Sequence, residues 1–313
     1  MLTSRENLWG VVLSGGDGTR LQQFIKKIFG IVRPKQYCPI VGTRSMFRHT
    51  IDRVRSLVDP KKILTIVNRA HLEYVRPQIS DQLPVTVLVQ PCSRETANGI
   101  LLSLLHIHYQ NPQAIVGIFP SDHFVLEEGK FMQQVEQGFI FAKKHNNSVV
   151  LLGISPTQVE PGYGWIEKAG AVHNPWNLKT SRVRRFWEKP DPTKAKLLFA
   201  KGCLWNTFVM IGALGAFLSQ FREMIPKTFN QLNSVMRFSS SDKREALLNQ
   251  LYPSLPSLNF SSAILERSRR HLCVQEVSGV YWSDWGDEAR VLRDVERLHL
   301  RLNQRPSPPL SCP

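Results

Sequence analysis

The chain has 313 residues, a formal net charge of +15, 42% hydrophobic residues and 21% charged residues. That length and composition support a substantial buried core and exclude a disordered chain, and no apolar run approaches the ~18 residues of a membrane span. The positive charge suggests an anionic partner, but composition does not choose between nucleic acid, an acidic membrane surface and a phosphorylated metabolite; surplus basic residues also serve solubility alone.

The first residues, "MLTSRENLWG", lack the cleavage pattern of a secretory signal, so a cytoplasmic location is the expectation. Cys38, Cys92, Cys203, Cys273 and Cys312 are scattered and form no Cys-x-x-Cys pair, which argues for free thiols rather than a disulfide framework or a zinc site.

Short β-rich runs come first: "WGVVLS" at 9–14, "KILTIVN" at 62–68, "VTVLVQ" at 85–90, "AIVGIFP" at 114–120 and "SVVLLGI" at 148–154. Between them, "SMFRHTIDRVRSLV" and "ETANGILLSLLHIHYQ" carry apolar residues at helical spacing. Continuous Val/Ile/Leu strands joined by helices predict an α/β fold with a mostly parallel sheet covered on both faces. After residue 155, "GYGWIEKAG", "RVRRFWEKPD" and "CLWNTFVMIG" read as strands of a smaller mixed layer. Helical segments follow near 213–225, 228–251 and 286–302, and "RPSPPLSCP" reads as the end of a disordered tail. The expected organisation is a single domain over 1–302 with the tail at 303–313.

Ligands bind beyond the carboxyl ends of such strands. The first strand ends in Ser14-Gly15-Gly16-Asp17-Gly18, followed by Thr19 and Arg20. This is neither the dinucleotide fingerprint nor a Walker loop. Its glycines let backbone N–H groups approach an oxyanion, and Arg20 adds a guanidinium. Arg20, Lys26, Lys27, Arg33 and Lys35 put five cations within sixteen positions, on a segment that Gly30 and Pro34 mark as a loop. Asp122 follows the fourth strand and Asp284 lies in "VYWSDWGDE"; two carboxylates at one rim suit Mg²⁺, which takes one or two protein carboxylates and completes its shell with phosphate oxygens and water. Each aspartate alone reads equally as a turn or cap residue. Glu188 and Lys189 in "WEKPD" pair a hydroxyl-binding carboxylate with a phosphate-binding cation.

Taken in order, "GGDGTRL", "RPKQY", "QPCSRETANGI", "FPSDHF", "GYGWIE", "FWEKPD", "LWNTF" and "WSDWGD" resemble the sugar-1-phosphate nucleotidyltransferases, most closely the mannose-1-phosphate guanylyltransferases, over residues 9 to 290. The resemblance implies a Rossmann-like nucleotide-diphospho-sugar transferase fold. It implies transfer from a nucleoside triphosphate, GTP, to a sugar 1-phosphate, mannose 1-phosphate, with release of pyrophosphate and Mg²⁺ as cofactor. By the matching blocks, Ser14, Gly15, Gly16, Gly18, Thr19 and Arg20 would hold the triphosphate, with Gln90, Arg94 and Thr96 near the nucleotide. Asp122 and Asp284 would hold the metal. Gly164, Glu188, Lys189 and Asn206 would surround the sugar phosphate, and Arg20, Lys35 and Lys189 would be the catalytic cations.

The alternatives are a non-catalytic nucleotide-sugar-binding relative and a pyrophosphorylase for another base and sugar, such as glucose 1-phosphate. No nucleic-acid module and no membrane segment is recognised, and oligomeric state is not readable. The sequence departs from the family pattern at Gln22-Gln23 and in a longer stretch up to Arg33, which reads as a mobile lid. It departs again at Thr207-Phe208, where Ser-Gly is common, and at Phe260-Ser261-Ser262-Ala263, where an acidic residue is common. No second activity from a cupin-like or β-helix extension is expected.

Overall fold

A computed structural model describes residues 5–79, 83–172, 179–268 and 271–303. The first apolar runs form β1 (Leu8–Leu13), β2 (Ile63–Asn68), β3 (Thr86–Gln90) and β4 (Ile115–Pro120). β1 pairs in parallel with β2 and β4, and β2 with β3. Every residue of β2 and β4 is buried, as an uninterrupted apolar strand requires when helices cover both faces. The intervening helices are α1 (Gln22–Phe29), α2 (Met46–Val54), α3 (Leu72–Val75) and α4 (Glu95–His108).

Next come β5 (Phe124–Val125), α5 (Glu128–Lys144), β6 (Val149–Ile154), β7 (Gly164–Ala171), β8 (Thr180–Glu188), α6 (Pro192–Ala200) and β9 (Leu204–Ala213). The described chain continues through α7 (Leu214–Met224), α8 (Pro226–Met236), α9 (Ser241–Leu251), β10 (Leu272–Val277), β11 (Trp282–Ser283) and α10 (Glu288–Arg297). Nine strands make one sheet in the order β3-β2-β1-β4-β9-β6-β10-β8-β7, while β5 and β11 form a separate ribbon. β9 and β8 run against the others, so most strands share one direction. The strands expected as a mixed layer continue this sheet instead, because β9 inserts antiparallel between β4 and β6 and presents an edge to β7.

One core lies on the face covered by α4, α7 and α8, where α4 is buried over most of its circumference. The other lies under α2 and α5. Apolar spacing alone did not single out α5 or β10. The segment expected as one helix over 228–251 is divided into α8 and α9, with Ser240 accepting the Lys243 amide at the new N-terminus.

The basic stretch expected as a loop and lid is mostly helix. Leu21, Phe24, Ile25, Ile28 and Phe29 fall on one face of α1 and pack with Trp285 and Val291, and Gly30 ends the helix at φ 72°. The cations alternate with an apolar stripe, and that stripe decides the structure. Asn303, expected to begin the tail, donates its amide to the Ile40 carbonyl and its side chain to the Pro39 carbonyl, at 3.0 and 2.7 Å. The remainder, 304–313 with Cys312, lies outside the described residues. The other four cysteines are free thiols.

Candidate active site

The loop after β1 is fastened by its carbonyls. Tyr37 Oη donates to Ser14 O at 2.6 Å, Gln36 Nε2 to Gly16 O at 2.7 Å and Asn68 Nδ2 to Gly15 O at 2.6 Å. Among the described residues, the amides of Gly15, Gly16 and Gly18 meet no protein acceptor, although the three glycines line one cavity. Fixed, unpaired N–H groups on a cavity wall form an oxyanion cradle. Gly18 sits at φ 60°, and a Cβ there would stand 3.3 Å from the Lys35 amide, so only glycine fits without strain.

The cavity, of about 460 Å³, also takes in Thr19, Arg20, Gln90, Thr96, Asp122, Gly164, Glu188, Lys189, Asn206 and Asp284. Most of the candidate residues are thus brought together. Arg20 is exposed and makes no ion pair among the described residues. Gln90 accepts from Tyr252 Oη at 2.6 Å, and its Nε2 lies against Gly15. Thr96 accepts the Phe260 amide at 2.8 Å.

Three candidates lie off the wall. Ser14 is buried behind the loop. Arg94 bonds the Pro253 carbonyl instead of facing the cavity. Lys35 is buried, and its ammonium donates to the carbonyls of Asp284 and Trp285 and pairs with Asp122 Oδ2 at 3.2 Å. Its hydrogens are therefore directed into the protein, and its charge acts through Asp122.

Asp122 is 39% exposed through the cavity. Desolvation raises its carboxyl, but Lys35 and His123 outweigh that and hold it below the usual range. Burial pushes the His123 ring below its ordinary value, against the pull of Asp122. Its Nδ1 meets the Thr207 carbonyl at 3.1 Å, which assigns the ring proton to that nitrogen.

Asp284 accepts the Gly286 amide at 2.8 Å and the Arg290 guanidinium, both at Oδ1. Asp122 Oδ1 and Asp284 Oδ2 stand outside these strong contacts. One oxygen from each of two carboxylates fits Mg²⁺, and among the described residues no third His, Cys, Asp or Glu completes a cage.

At the far end, a Cβ on Gly164 would lie 2.8 Å from Phe186 and 3.3 Å from Glu188 Oε2. Glycine is therefore required where the two strands and Asn206 converge. Burial raises the Glu188 carboxyl despite Lys189 and a hydrogen bond from Ser261. Ser261, flagged in the sequence only as a missing acid, lines the same cavity as that carboxylate.

Sequence reasoning passed over Arg290. On α10 it bonds Asp284, pairs with Glu160 Oε2 at 3.0 Å and Asp287 Oδ2 at 3.3 Å, and lies 4.6 Å from the Tyr163 ring centroid. The favourable carboxylates overcome its desolvation and raise its pKa. An arginine three residues after a capping Asp287 was the available signal, but its partners come from distant segments. Backbone strain gathers here too: Glu95, Lys189 and Phe208 line the cavity at φ 62°, 43° and 59°, and Trp285 beside Asp284 has φ 44°.

An open α/β sheet with unpaired glycine amides at its carboxyl rim, facing paired carboxylates and a buried lysine, is the architecture in which α/β proteins bind ligands beyond their strand ends. The chain belongs to the nucleotidyl transferase family, whose model matches residues 9–297. It is similar to mannose-1-phosphate guanylyltransferase 2 of Escherichia coli O157:H7, with 27% identity over 286 residues, 88% of this chain and 57% of that one. It is also similar to the xanthan biosynthesis protein XanB of Xanthomonas campestris pv. campestris (strain B100), with 29% identity over 90% of this chain and 58% of that one. The chain therefore spans somewhat over half the length of these relatives. A crystal structure from Thermus thermophilus, named as a mannose-1-phosphate geranyltransferase, shares the fold with a TM-score of 0.78 at 24% identity, over 94% of this chain and 79% of that one. The nucleotide-diphospho-sugar transferase fold expected from the sequence is the observed one. Among the described residues, no helix is long and apolar enough to cross a membrane.

Proposed function

We propose that the chain transfers a nucleotidyl group from a nucleoside triphosphate to a sugar 1-phosphate, releasing pyrophosphate. The observation that carries this reading is the sharing of one cavity by the unpaired glycine amides, the two aspartates and the Gly164–Glu188–Asn206 end. GTP and mannose 1-phosphate are the first pair to test, because relatives across most of this chain bear the name mannose-1-phosphate guanylyltransferase.

In the proposed reaction a sugar-phosphate oxygen attacks the α-phosphorus in line. The new P–O bond forms as the bond to pyrophosphate breaks. The attacking oxygen is already anionic, so no general base is needed, and His123 serves as a support at the Thr207 carbonyl. The main obstacle is repulsion between two polyanions, which positioning and positive charge overcome. The glycine amides and Arg20 would hold the triphosphate, and Lys189 would meet the sugar phosphate. Glu188 and Asn206 would read sugar hydroxyls. Asp122 and Asp284 would hold Mg²⁺, which supplies charge neutralisation on the phosphates when bound.

The test is a matrix of nucleoside triphosphates against sugar 1-phosphates, scored by pyrophosphate release with and without Mg²⁺. A single preferred pair with Mg²⁺-dependent turnover supports the proposal. Nucleotide binding without turnover across the whole matrix would replace it with the regulatory-binder reading.

A further inference from the structure

β9 departs from its partner beside the cavity. Asn206 stands opposite Gly153 and Met210 opposite Leu151, so three residues of β9, 207–209, face Leu152 alone. Such a bulge re-aims a side chain at a sheet rim. Its central residue is Phe208, at φ 59°, a backbone conformation that a bulky side chain rarely adopts and that glycine adopts freely.

The strained conformation is held from several sides. Thr207 Oγ1 donates to the Leu152 carbonyl at 2.7 Å and accepts the Val209 amide at 3.3 Å. Asn206 Oδ1 accepts the Phe208 amide at 3.2 Å, and His123 meets the Thr207 carbonyl. The half-buried Phe208 ring lines the cavity and meets Phe260 edge-on, with centroids 6.2 Å apart. Phe260 is fixed by Thr96, and the next residue, Ser261, lines the same cavity as Glu188. The ring is therefore a supported wall two residues from Asn206, in the cavity that Glu188 and Ser261 also line.

Packing alone does not require this geometry: the core offers many places for an apolar ring without positive φ. Strain kept at a cavity wall by four fixed hydrogen bonds indicates a task at that wall. We infer that Phe208 is a specificity-determining residue that limits the size of the sugar, admitting an unsubstituted hexose 1-phosphate and excluding one that carries an acetamido group. The inference rests on the proposed nucleotidyl transfer and adds to it the residue that sets the accepted sugar. A wall of this kind discriminates by exclusion, and the room left by removing a ring accommodates a substituent of a few heavy atoms.

The experiment compares the full chain with Phe208→Gly and Phe208→Leu. Pyrophosphate release is measured with mannose, glucose and N-acetylglucosamine 1-phosphates at a fixed triphosphate, alongside melting curves for folding. In Phe208→Gly the ratio of kcat/KM for the acetamido sugar to that for the best hexose should rise about tenfold or more. In Phe208→Leu, which keeps much of the wall, the ratio should move less. The rise should come mainly from KM for the sugar phosphate, which a general loosening of the fold would not select. A folded, active Phe208→Gly variant with an unchanged ratio would overturn the role of Phe208 and leave the proposed reaction standing. A wild-type chain inactive with every pair would overturn both.

Discussion

Replacing Arg290 by methionine keeps much of the side chain's length and removes its charge. The guanidinium is 7% exposed, and its partners Asp284 and Glu160 are each 15% exposed, whereas Asp287 is 49% exposed. Breaking a buried pair by removing one partner costs about 3–5 kcal/mol, because the remaining charge is left desolvated. The exposed Asp287 contact adds at most about 1 kcal/mol. Asp284 lines the cavity, so water reaches it and the low end applies: about 3 kcal/mol. At the ~2 °C per kcal/mol expected of a large chain, melting should fall by about 6 °C.

Scanning calorimetry checks this, and a second measurement isolates the cause. Excess Mg²⁺ should restore more of the loss in Arg290→Met than it adds to the wild type, since a bound cation can replace the missing charge at Asp284. A variant melting within about 1 °C of the wild type would refute the reasoning that Arg290 carries buried charge. A large loss that Mg²⁺ leaves untouched would confine Arg290 to the Glu160 side of its contacts.

Asp122→Ala should lower pyrophosphate release about 10²-fold or more, by analogy with losing a fixed transition-state contact, and should also lower melting, because the buried Lys35 ammonium loses its carboxylate partner; near-normal turnover removes it from the mechanism. Phe29→Ala should cost about 3 kcal/mol or more, measured by urea denaturation, because α1 is packed rather than mobile. A cost below about 1 kcal/mol would return the segment to the lid reading. Glu128 is pushed up by burial but pulled lower overall by His49 and Arg53, from the usual 4.5. Its stabilising effect is therefore present above that value and lost as pH falls through the lower folded-state value. The melting gap between wild type and Glu128→Gln should be widest near neutrality and close in acid; a gap independent of pH contradicts the ion pairing with Arg53.

The half of the sheet that carries the glycine loop was legible because its strands are largely apolar runs, and because glycines at a strand end leave few structural alternatives. The basic segment misled for a physical reason. Its lysines and arginines are conspicuous, whereas the stripe of Leu21, Phe24, Ile25 and Phe29 emerges only at helical spacing. Lys35 shows a different limit. A lysine after a proline reads as a presented cation, but its ammonium is engaged by carbonyls 249 and 250 residues further on. Arg94 was drawn to the cavity by its place in a motif and is turned away by Pro253. Long-range pairings of this kind leave no local pattern, and Arg290 was missed on the same account.

The packing of α1 on α10 also has a consequence during synthesis. Lys27 and its partner Glu288 are 261 residues apart, at 3.4 Å in the folded chain. At about 5–20 residues per second, the ribosome reaches α10 roughly 13–50 s after making α1. For that interval Phe24, Ile25 and Phe29 lack part of their covering, and Lys35 lacks both carbonyl acceptors. The early strands can pair while the acidic cluster is still incomplete. The apolar stripe of α1 thus stays partly uncovered in the nascent chain until nearly the whole described fold exists.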